Sequence, residues 1–149
     1  MRKVAILTTD HLEAFFVYDR LLETPLKSLG WELSDVSWHA KNHNWDQYDA
    51  VIVRSTWDYQ AHCEDFLSCL KVIDNSSAVL CNSMSVIEWN ISKRYLKELE
   101  NKGVPIIPTL WADELEEHHF AAAFAKFDCD EIVIKPYISA NADGTYRLS

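Results

Sequence analysis

The stretch Ala50–Tyr59 (AVIVRSTWDY) joins a continuous apolar run to a polar and aromatic loop. Such short β-branched runs are typical of strands that are buried on both faces of a parallel sheet. Lys3–Thr9 (KVAILTT) and Ala78–Cys81 (AVLC) have the same character. Trp31–Trp38 (WELSDVSW) alternates imperfectly, which predicts a more exposed strand with an irregularity around Ser34–Asp35.

Helical patterns lie between these strands. Apolar residues recur at helical spacing from Phe16 to Leu29, although Pro25 should kink or divide this helix. Gln60–Asn75 places its apolar side chains on one stripe, as in a helix that packs on a sheet. Strands that alternate with helices, without hairpin dipeptides between them, favour a parallel sheet with right-handed crossovers. We therefore predict a small doubly wound α/β unit over residues 1–83.

The pattern changes after this point. A long helix is predicted over Ser85–Lys102, and a helix with carboxylates in its first turn over Asp113–Phe127. Short strands are predicted near Ile106–Ile107 and over Glu131–Lys135, and the residues YRL near the end of the sequence resemble the start of another strand. Residues 84–149 are therefore expected to form a second, α+β substructure.

Composition and charge exclude several classes of function. The 149 residues carry a formal net charge of −9 and are 48% hydrophobic, which predicts a folded globular protein without nucleic acid or anionic membranes as partners. Only three glycines are present, so the glycine-rich dinucleotide loop and the Walker A loop are excluded. No apolar run is long enough for a membrane helix and no signal peptide is recognisable, so we expect a cytoplasmic protein. The spacing of cysteines and histidines predicts neither a disulfide framework nor a metal site.

Polar side chains follow the first and third predicted strands. In parallel α/β sheets, ligands bind beyond the carboxyl ends of the strands. The guanidinium of Arg54 offers a bidentate fork to a carboxylate, and Asp58 could either orient that fork or receive an ammonium group. The predicted substrate-binding residues at this edge are Asp10, Arg54, Thr56, Asp58 and Tyr59.

The same segment has a structural alternative. Ser55 or Thr56 could cap the next helix, Trp57 could belong to the core, and Arg54 could pair with Asp58. The spacing of these residues does not decide between a substrate site and this alternative.

Two lysines form a second group of candidates. Lys135 ends a predicted strand and precedes a loop of small residues, where backbone amides and an ammonium group can hold a phosphate. Lys93 lies on a predicted helix and could add a second positive charge if that helix faces the same cleft. Each lysine could equally be an ordinary solvated side chain, so only their combination favours a phosphate site.

Four segments together resemble the amino-terminal half of ATP-grasp proteins, in particular glutathione-synthetase-like and cyclo-ligase-like members. The segments are VIVRSTWDY (Val51–Tyr59), CNS (Cys81–Ser83), EWNISKRYLKELENKGVPIIPT (Glu88–Thr109) and EIVIKPYISANADGTYR (Glu131–Arg147). They follow one another along the chain in the same order as in that family, and at plausible spacings. The resemblance implies that residues 1–83 form the substrate-side domain that precedes the ATP-grasp fold. Residues 84–149 would then form its first lobe, truncated at the end of the sequence.

The resemblance also implies roles for individual residues. Lys93 and Lys135 would contact ATP phosphates, and the loop with Ser139, Gly144 and Thr145 would cover them. The implied reaction is phosphorylation of a carboxylate by ATP with Mg²⁺, followed by attack of an amine on the acyl phosphate. The magnesium ligands of the family have no counterpart in these 149 residues. The chain is therefore expected to be either a fragment or truncated product that is inactive alone, which is favoured, or a degenerate family member that works without the second lobe.

The resemblance makes a small carboxylate or an amino-acid-like molecule the expected substrate. A non-catalytic α/β module that binds a small molecule or serves as a scaffold is the alternative function. The sequence leaves the oligomeric state open, and a homodimer is one of the expected assemblies. An interaction domain whose open last strand pairs with another chain is a further alternative function.

Overall fold

The computed structural model describes residues 1–12 and 16–149. Its first part holds a parallel four-stranded sheet with the strand order β2–β1–β3–β4. These strands are β1 (Arg2–Thr8), β2 (Trp31–Ser37), β3 (Ala50–Ser55) and β4 (Val79–Cys81). The chain leaves β1 for β2 on one side and then continues to β3 and β4 on the other, which confirms the predicted doubly wound parallel sheet.

Helices flank this sheet. The helix α1 (Glu23–Ser28) packs against β2, and the helix α2 (Cys63–Asp74) packs against β4. As the sequence pattern predicts, α2 buries one apolar stripe, formed by Phe66, Leu70 and Ile73. Residues 4–7 of β1 are at most 2% exposed, because this central strand has a neighbour on each side. The core of the first part therefore lies on β1.

The predicted irregularity at Ser34–Asp35 is wrong. The pairing of β1 with β2 runs without a break from Arg2 opposite Trp31 to the last residue of each strand. The register shifts instead on the other side of β1, where Leu7 pairs with Val53 and the next residue of β1 pairs with Ser55. The extra residue is Arg54, so the irregularity falls where the strands end and the polar loop begins.

The predicted helix from Phe16 to Leu29 is divided. A 3₁₀ turn over Asp19–Leu22 is followed by α1, in which Pro25 is the third residue. Proline is tolerated there because the first amides of a helix have no intrahelical acceptor. Leu21 and Leu29 are 70% and 73% exposed, so these two positions of the predicted apolar stripe do not join the core.

The chain forms two compact units, Met1–Trp89 and Asn90–Ser149. The single helix predicted over Ser85–Lys102 is wrong, because two helices occupy this range: α3 (Met84–Asn90) and α4 (Tyr95–Asn101). Lys93 lies between them, and its backbone N–H donates to the carbonyl of Tyr137 over 2.8 Å. An amide that is used by another segment cannot extend a helix, and the asparagine and serine nearby favour helix ends.

No strand is present at Ile106–Ile107, where one is predicted. Prolines on both sides of this dipeptide remove two ladder donors, and Ile107 is 83% exposed. The helix α5 (Glu117–Phe127) begins four residues later than predicted. Its first turn is closed by a hydrogen bond that the N–H of Glu116 donates to Nδ1 of His119 over 3.0 Å.

The second unit ends in an antiparallel pair of strands, β5 (Ile132–Ile134) and β6 (Tyr146–Leu148). Both predicted strands are thus confirmed, although β5 is shorter by one residue at each end. Lys135 follows β5 directly and opens the loop to β6. Within the described residues, no helix is long and apolar enough to cross a membrane.

Candidate functional site

A cavity of about 510 Å³ opens at the carboxyl ends of β1 and β2. This is the edge at which ligands bind in parallel α/β sheets. Of the predicted substrate residues, only Asp10 lines this cavity; the lining residues are Thr8, Thr9, Asp10, Leu12, Val17, Asp19, Arg20, Asp35 and Ser37.

Two of the cavity's carboxylates are neutralised by arginines. Asp19 is 3% exposed, and it accepts from Nε of Arg54 over 2.8 Å and from the hydroxyl of Ser55 over 2.5 Å. Arg20 and Asp35 form an ion pair of 2.6 Å. The carboxylate of Asp10 is exposed and has no ion pair with any residue that the structure describes. Among the described residues that line the cavity, Asp10 therefore offers a carboxylate that no ion pair neutralises.

Asp58 lies in a different set of contacts. Its carboxylate accepts from the hydroxyl of Thr9 over 2.5 Å, from Nε1 of Trp38 over 2.7 Å and from Nε2 of His39 over 2.6 Å. Burial raises the pKa of Asp58, but these three hydrogen bonds outweigh burial and hold the pKa below its usual value. The alternative in which Arg54 pairs with Asp58 is wrong, because Arg54 binds Asp19.

The two remaining predicted residues of this segment support the loop. Thr56 is 4% exposed, and its carbonyl accepts from the N–H of Tyr59 over 3.1 Å. The ring of Tyr59 packs on Phe66 with 5.4 Å between centroids, and burial raises the pKa of its hydroxyl. Neither residue lines the cavity, and α2 begins only after His62, so the predicted cap at position 55 or 56 is also wrong.

Three residues of this edge escaped the sequence analysis: Asp19, Trp38 and His39. Asp19 was concealed within an apolar helical pattern, and nothing local to it indicates burial. His39 could have been found from the sequence, because it follows β2 and ligands bind beyond the carboxyl ends of all strands in a parallel α/β sheet.

The second unit brings the two candidate lysines close together. Nζ of Lys93 donates to the hydroxyl of Ser139 over 2.6 Å and to its carbonyl over 3.3 Å. Burial lowers the pKa of Lys93, and repulsion from the ammonium group of Lys135 lowers it further. The lysines therefore share one electrostatic environment although they are far apart in sequence.

The loop from Lys135 to Thr145 is closed by short turns. The N–H of Asp143 donates to the carbonyl of Ala140 over 2.9 Å, and the N–H of Thr145 donates to the carbonyl of Ala142 over 3.0 Å. Gly144 has a φ of +63°, and a Cβ there would lie 2.8 Å from Cγ of Pro136. Glycine is thus required for the loop to close on the residue after Lys135.

The described residues contain no group of three or more side chains that could hold a metal ion. The adjacent imidazoles of His118 and His119 lie 4.0 Å apart, and Glu116 contacts both residues. Carboxylates that are suitable for Mg²⁺ do not converge near Lys93 and Lys135 in the part of the chain that the structure covers.

Two comparisons match this chain to known proteins that are about twice as long. The cycloserine biosynthesis protein DcsG of Streptomyces lavendulae is 29% identical over 150 residues, which cover 96% of this chain and 47% of that protein. The crystal structure of D-cycloserine synthetase DcsG superposes with a TM-score of 0.81 at 25% identity, over 98% of this chain and 50% of the other. The chain thus spans about half the length of the relatives that it matches.

The match to a protein family covers the sheet and its cavity. Residues 4–82 match the family described as the N-terminal domain of D-cycloserine synthetase DcsG. These residues are just over half of the chain, and they contain both Asp19 and the Asp58–His39 pair. The chain therefore belongs to the family of the D-cycloserine synthetase DcsG N-terminal domain.

Proposed function

We propose that this chain supplies the substrate-side domain and the first phosphate-binding residues of an ATP-dependent ligase of the ATP-grasp type. The ligase would join a carboxylate to an amine through an acyl phosphate. The observation that carries this proposal is that Lys93 binds Ser139 in the loop that Lys135 opens, and that the ammonium group of Lys135 lowers the pKa of Lys93. The chain is also similar to a synthetase.

The chemistry of the lysine pair favours a polyanion. Two ammonium groups that repel each other are stabilised when an anion lies between them. A transferred phosphoryl group spreads negative charge over its oxygens, and cations that are fixed beside it lower the barrier. Lys93 donates to the hydroxyl and the carbonyl of Ser139, and these two oxygens mark where a phosphate oxygen could accept from it.

A magnesium ion would supply positive charge that neutralises the phosphates in the proposed reaction. Within the described residues, no cluster of side chains is suitable for holding Mg²⁺. Lys93 and Lys135 would position the phosphates for that ion.

The cavity of the first unit supports a small amino-acid-like substrate. Its volume of about 510 Å³ suits a small molecule, and the uncommitted carboxylate of Asp10 suits an ammonium group. The half-exposed guanidinium of Arg54 does not line the cavity, but it is bound through Nε to Asp19, which does. Its terminal nitrogens have no hydrogen bond to a described residue and could receive a carboxylate beside the cavity. The name of the relative, a cycloserine biosynthesis protein, is consistent with a small substrate.

Calorimetric titration of the chain with ATP and Mg²⁺, and separately with tripolyphosphate, tests the phosphate site. Lys135→Ala should weaken binding by about 10–100-fold, because a charge-assisted hydrogen bond contributes roughly 1.5–3 kcal/mol. Lys102→Ala removes an exposed charge from the end of α4 and should leave the affinity unchanged.

Equal affinities for Lys135→Ala and the wild type would contradict the proposal. Binding of amino acids to the cavity without any binding of ATP or tripolyphosphate would instead favour the non-catalytic module.

A further inference from the structure

His39 is held in one orientation by contacts on several sides. Its Nε2 lies 2.6 Å from Oδ2 of Asp58, its ring lies 3.6 Å from the ring of Trp38, and its backbone N–H donates to Oγ of Ser37 over 3.1 Å. The Asp58 carboxylate is itself fixed by Thr9 and Trp38. The imidazole therefore has little freedom to rotate away from Asp58.

The tautomer of His39 follows from these contacts. An ionised carboxylate can only accept, so Nε2 of His39 must carry the hydrogen that lies between it and Asp58. In the neutral ring this leaves a lone pair on Nδ1. Among the residues that the structure describes, none donates to Nδ1, and the side chain is 31% exposed. His39 thus presents a basic nitrogen that solvent or a ligand can reach.

The charged and titratable groups around His39 support this role. Asp58 stabilises the imidazolium that forms when Nδ1 takes a proton, as carboxylates do in catalytic triads. Among the described residues, His62 is the other titratable side chain whose ring lies near it, with 6.3 Å between the ring centroids. Thr9 and Ser37 contact the Asp58–His39 pair and also line the cavity, so the pair adjoins the space in which a substrate would sit.

We propose that His39 is the general base of this site and that Asp58 is its positioning residue. The inference rests on the proposed function, because an amine must lose a proton before it can attack an acyl phosphate. The lone pair of Nδ1 takes a proton from the substrate's ammonium group, which leaves a neutral amine and an imidazolium. The amine nitrogen then forms the C–N bond, and the bond from the acyl carbon to the phosphate oxygen breaks. Phosphate leaves with the electron pair and takes up the second proton that the nitrogen loses as it becomes an amide.

The test separates the base from the rest of the reaction by changing the nucleophile. Hydroxylamine is largely uncharged at neutral pH, so it intercepts an acyl phosphate without a base. In the intact protein, His39→Gln should reduce amide formation from the ammonium substrate by about 10²–10⁴-fold. ADP release and hydroxamate formation with hydroxylamine should stay within about twofold of the wild type. His118→Gln changes an exposed histidine of the second unit and should behave as the wild type in both assays.

A second variant covers the case in which His39→Gln does not fold. Asp58→Asn can still accept from Trp38, but its amide would donate to Nε2 and place the hydrogen of His39 on Nδ1. It should show the same selective loss of amide formation, with hydroxamate formation retained, and the pH profile of amide formation should differ from that of the wild type.

Three outcomes overturn the inference, and they differ from one another. Amide formation at the wild-type rate in His39→Gln would show that His39 is not the base. An equal loss of amide and hydroxamate would assign His39 a structural role only. Absence of both ADP release and hydroxamate in the wild type would refute the proposed function itself, and the inference with it.

Discussion

Replacing Asp19 by alanine should destabilise the first compact unit by about 2–4 kcal/mol. The buried hydroxyl of Ser55 donates to this carboxylate, and a hydrogen bond to a charged group contributes about 1.5–3 kcal/mol. The ion pair with Arg54 adds about 0.5–1 kcal/mol only, because the arginine is 46% exposed and screened by solvent. The lost hydrogen bond lies between the cavity and the end of β3, where Ser55 is 1% exposed.

Urea unfolding followed by tryptophan fluorescence measures this loss, because five of the six tryptophans lie in the first unit. With a slope of about 2 kcal/mol per molar urea, the midpoint should fall by about 1–2 M. Asp35→Ala is the matched control, since it removes a cavity carboxylate whose partner Arg20 is 69% exposed. The control should lose about 0–1 kcal/mol. A loss for Asp19→Ala that equals the loss for Asp35→Ala would refute the argument from burial.

Three further predictions follow from the second unit and from Asp58. Lys135→Ala should raise the pKa of Lys93, because it removes a like charge. The pKa can be measured from the chemical shifts of the Lys93 side chain as a function of pH. An unchanged pKa would mean that the two ammonium groups do not interact. Gly144→Ala should destabilise the loop by about 1–2 kcal/mol because of the positive φ at this position, and the new Cβ would also clash with Pro136. Hydrogen exchange of the backbone amides in this loop should therefore become faster. Exchange at the wild-type rate would contradict the expectation. The pKa of Asp58 is lower in the folded chain than in the unfolded chain, so its stabilising contribution is present above about pH 4 and is lost as the pH falls through the folded pKa. Asp58→Asn should abolish that part of the acid dependence in unfolding experiments, and an unaltered profile would exclude Asp58 as its source.

The proposed roles divide between the two units. The first unit holds the cavity, the uncommitted carboxylate of Asp10 and the Asp58–His39 pair. The second unit holds the lysine pair and the loop that supplies Ser139. The domain boundary after residue 83 stays a prediction, whereas contacts within the chain place the division after Trp89.

The local sequence pattern was sufficient to predict those elements whose buried side chains recur at regular spacing along the chain. The strand over Lys3–Thr9 and the apolar stripe of α2 could be predicted because each buries a regular set of side chains. The break at Lys93 could not, because it depends on a hydrogen bond to Tyr137, which is 44 residues away in sequence. The position of Pro25 inside α1 shows the same limit, since proline is compatible with the first turn of a helix as well as with its end.

The sequence alone determined a parallel α/β sheet, the polar residues that follow its strands and the two lysines as phosphate candidates, because these features are written in short runs of neighbouring residues. Only the tertiary structure decided which polar groups are partners. Arg54 binds Asp19 rather than Asp58, and Asp58 binds Thr9, Trp38 and His39. The reason is physical: an ion pair forms between groups that folding brings within about 3 Å, and their separation in sequence carries no information about that distance.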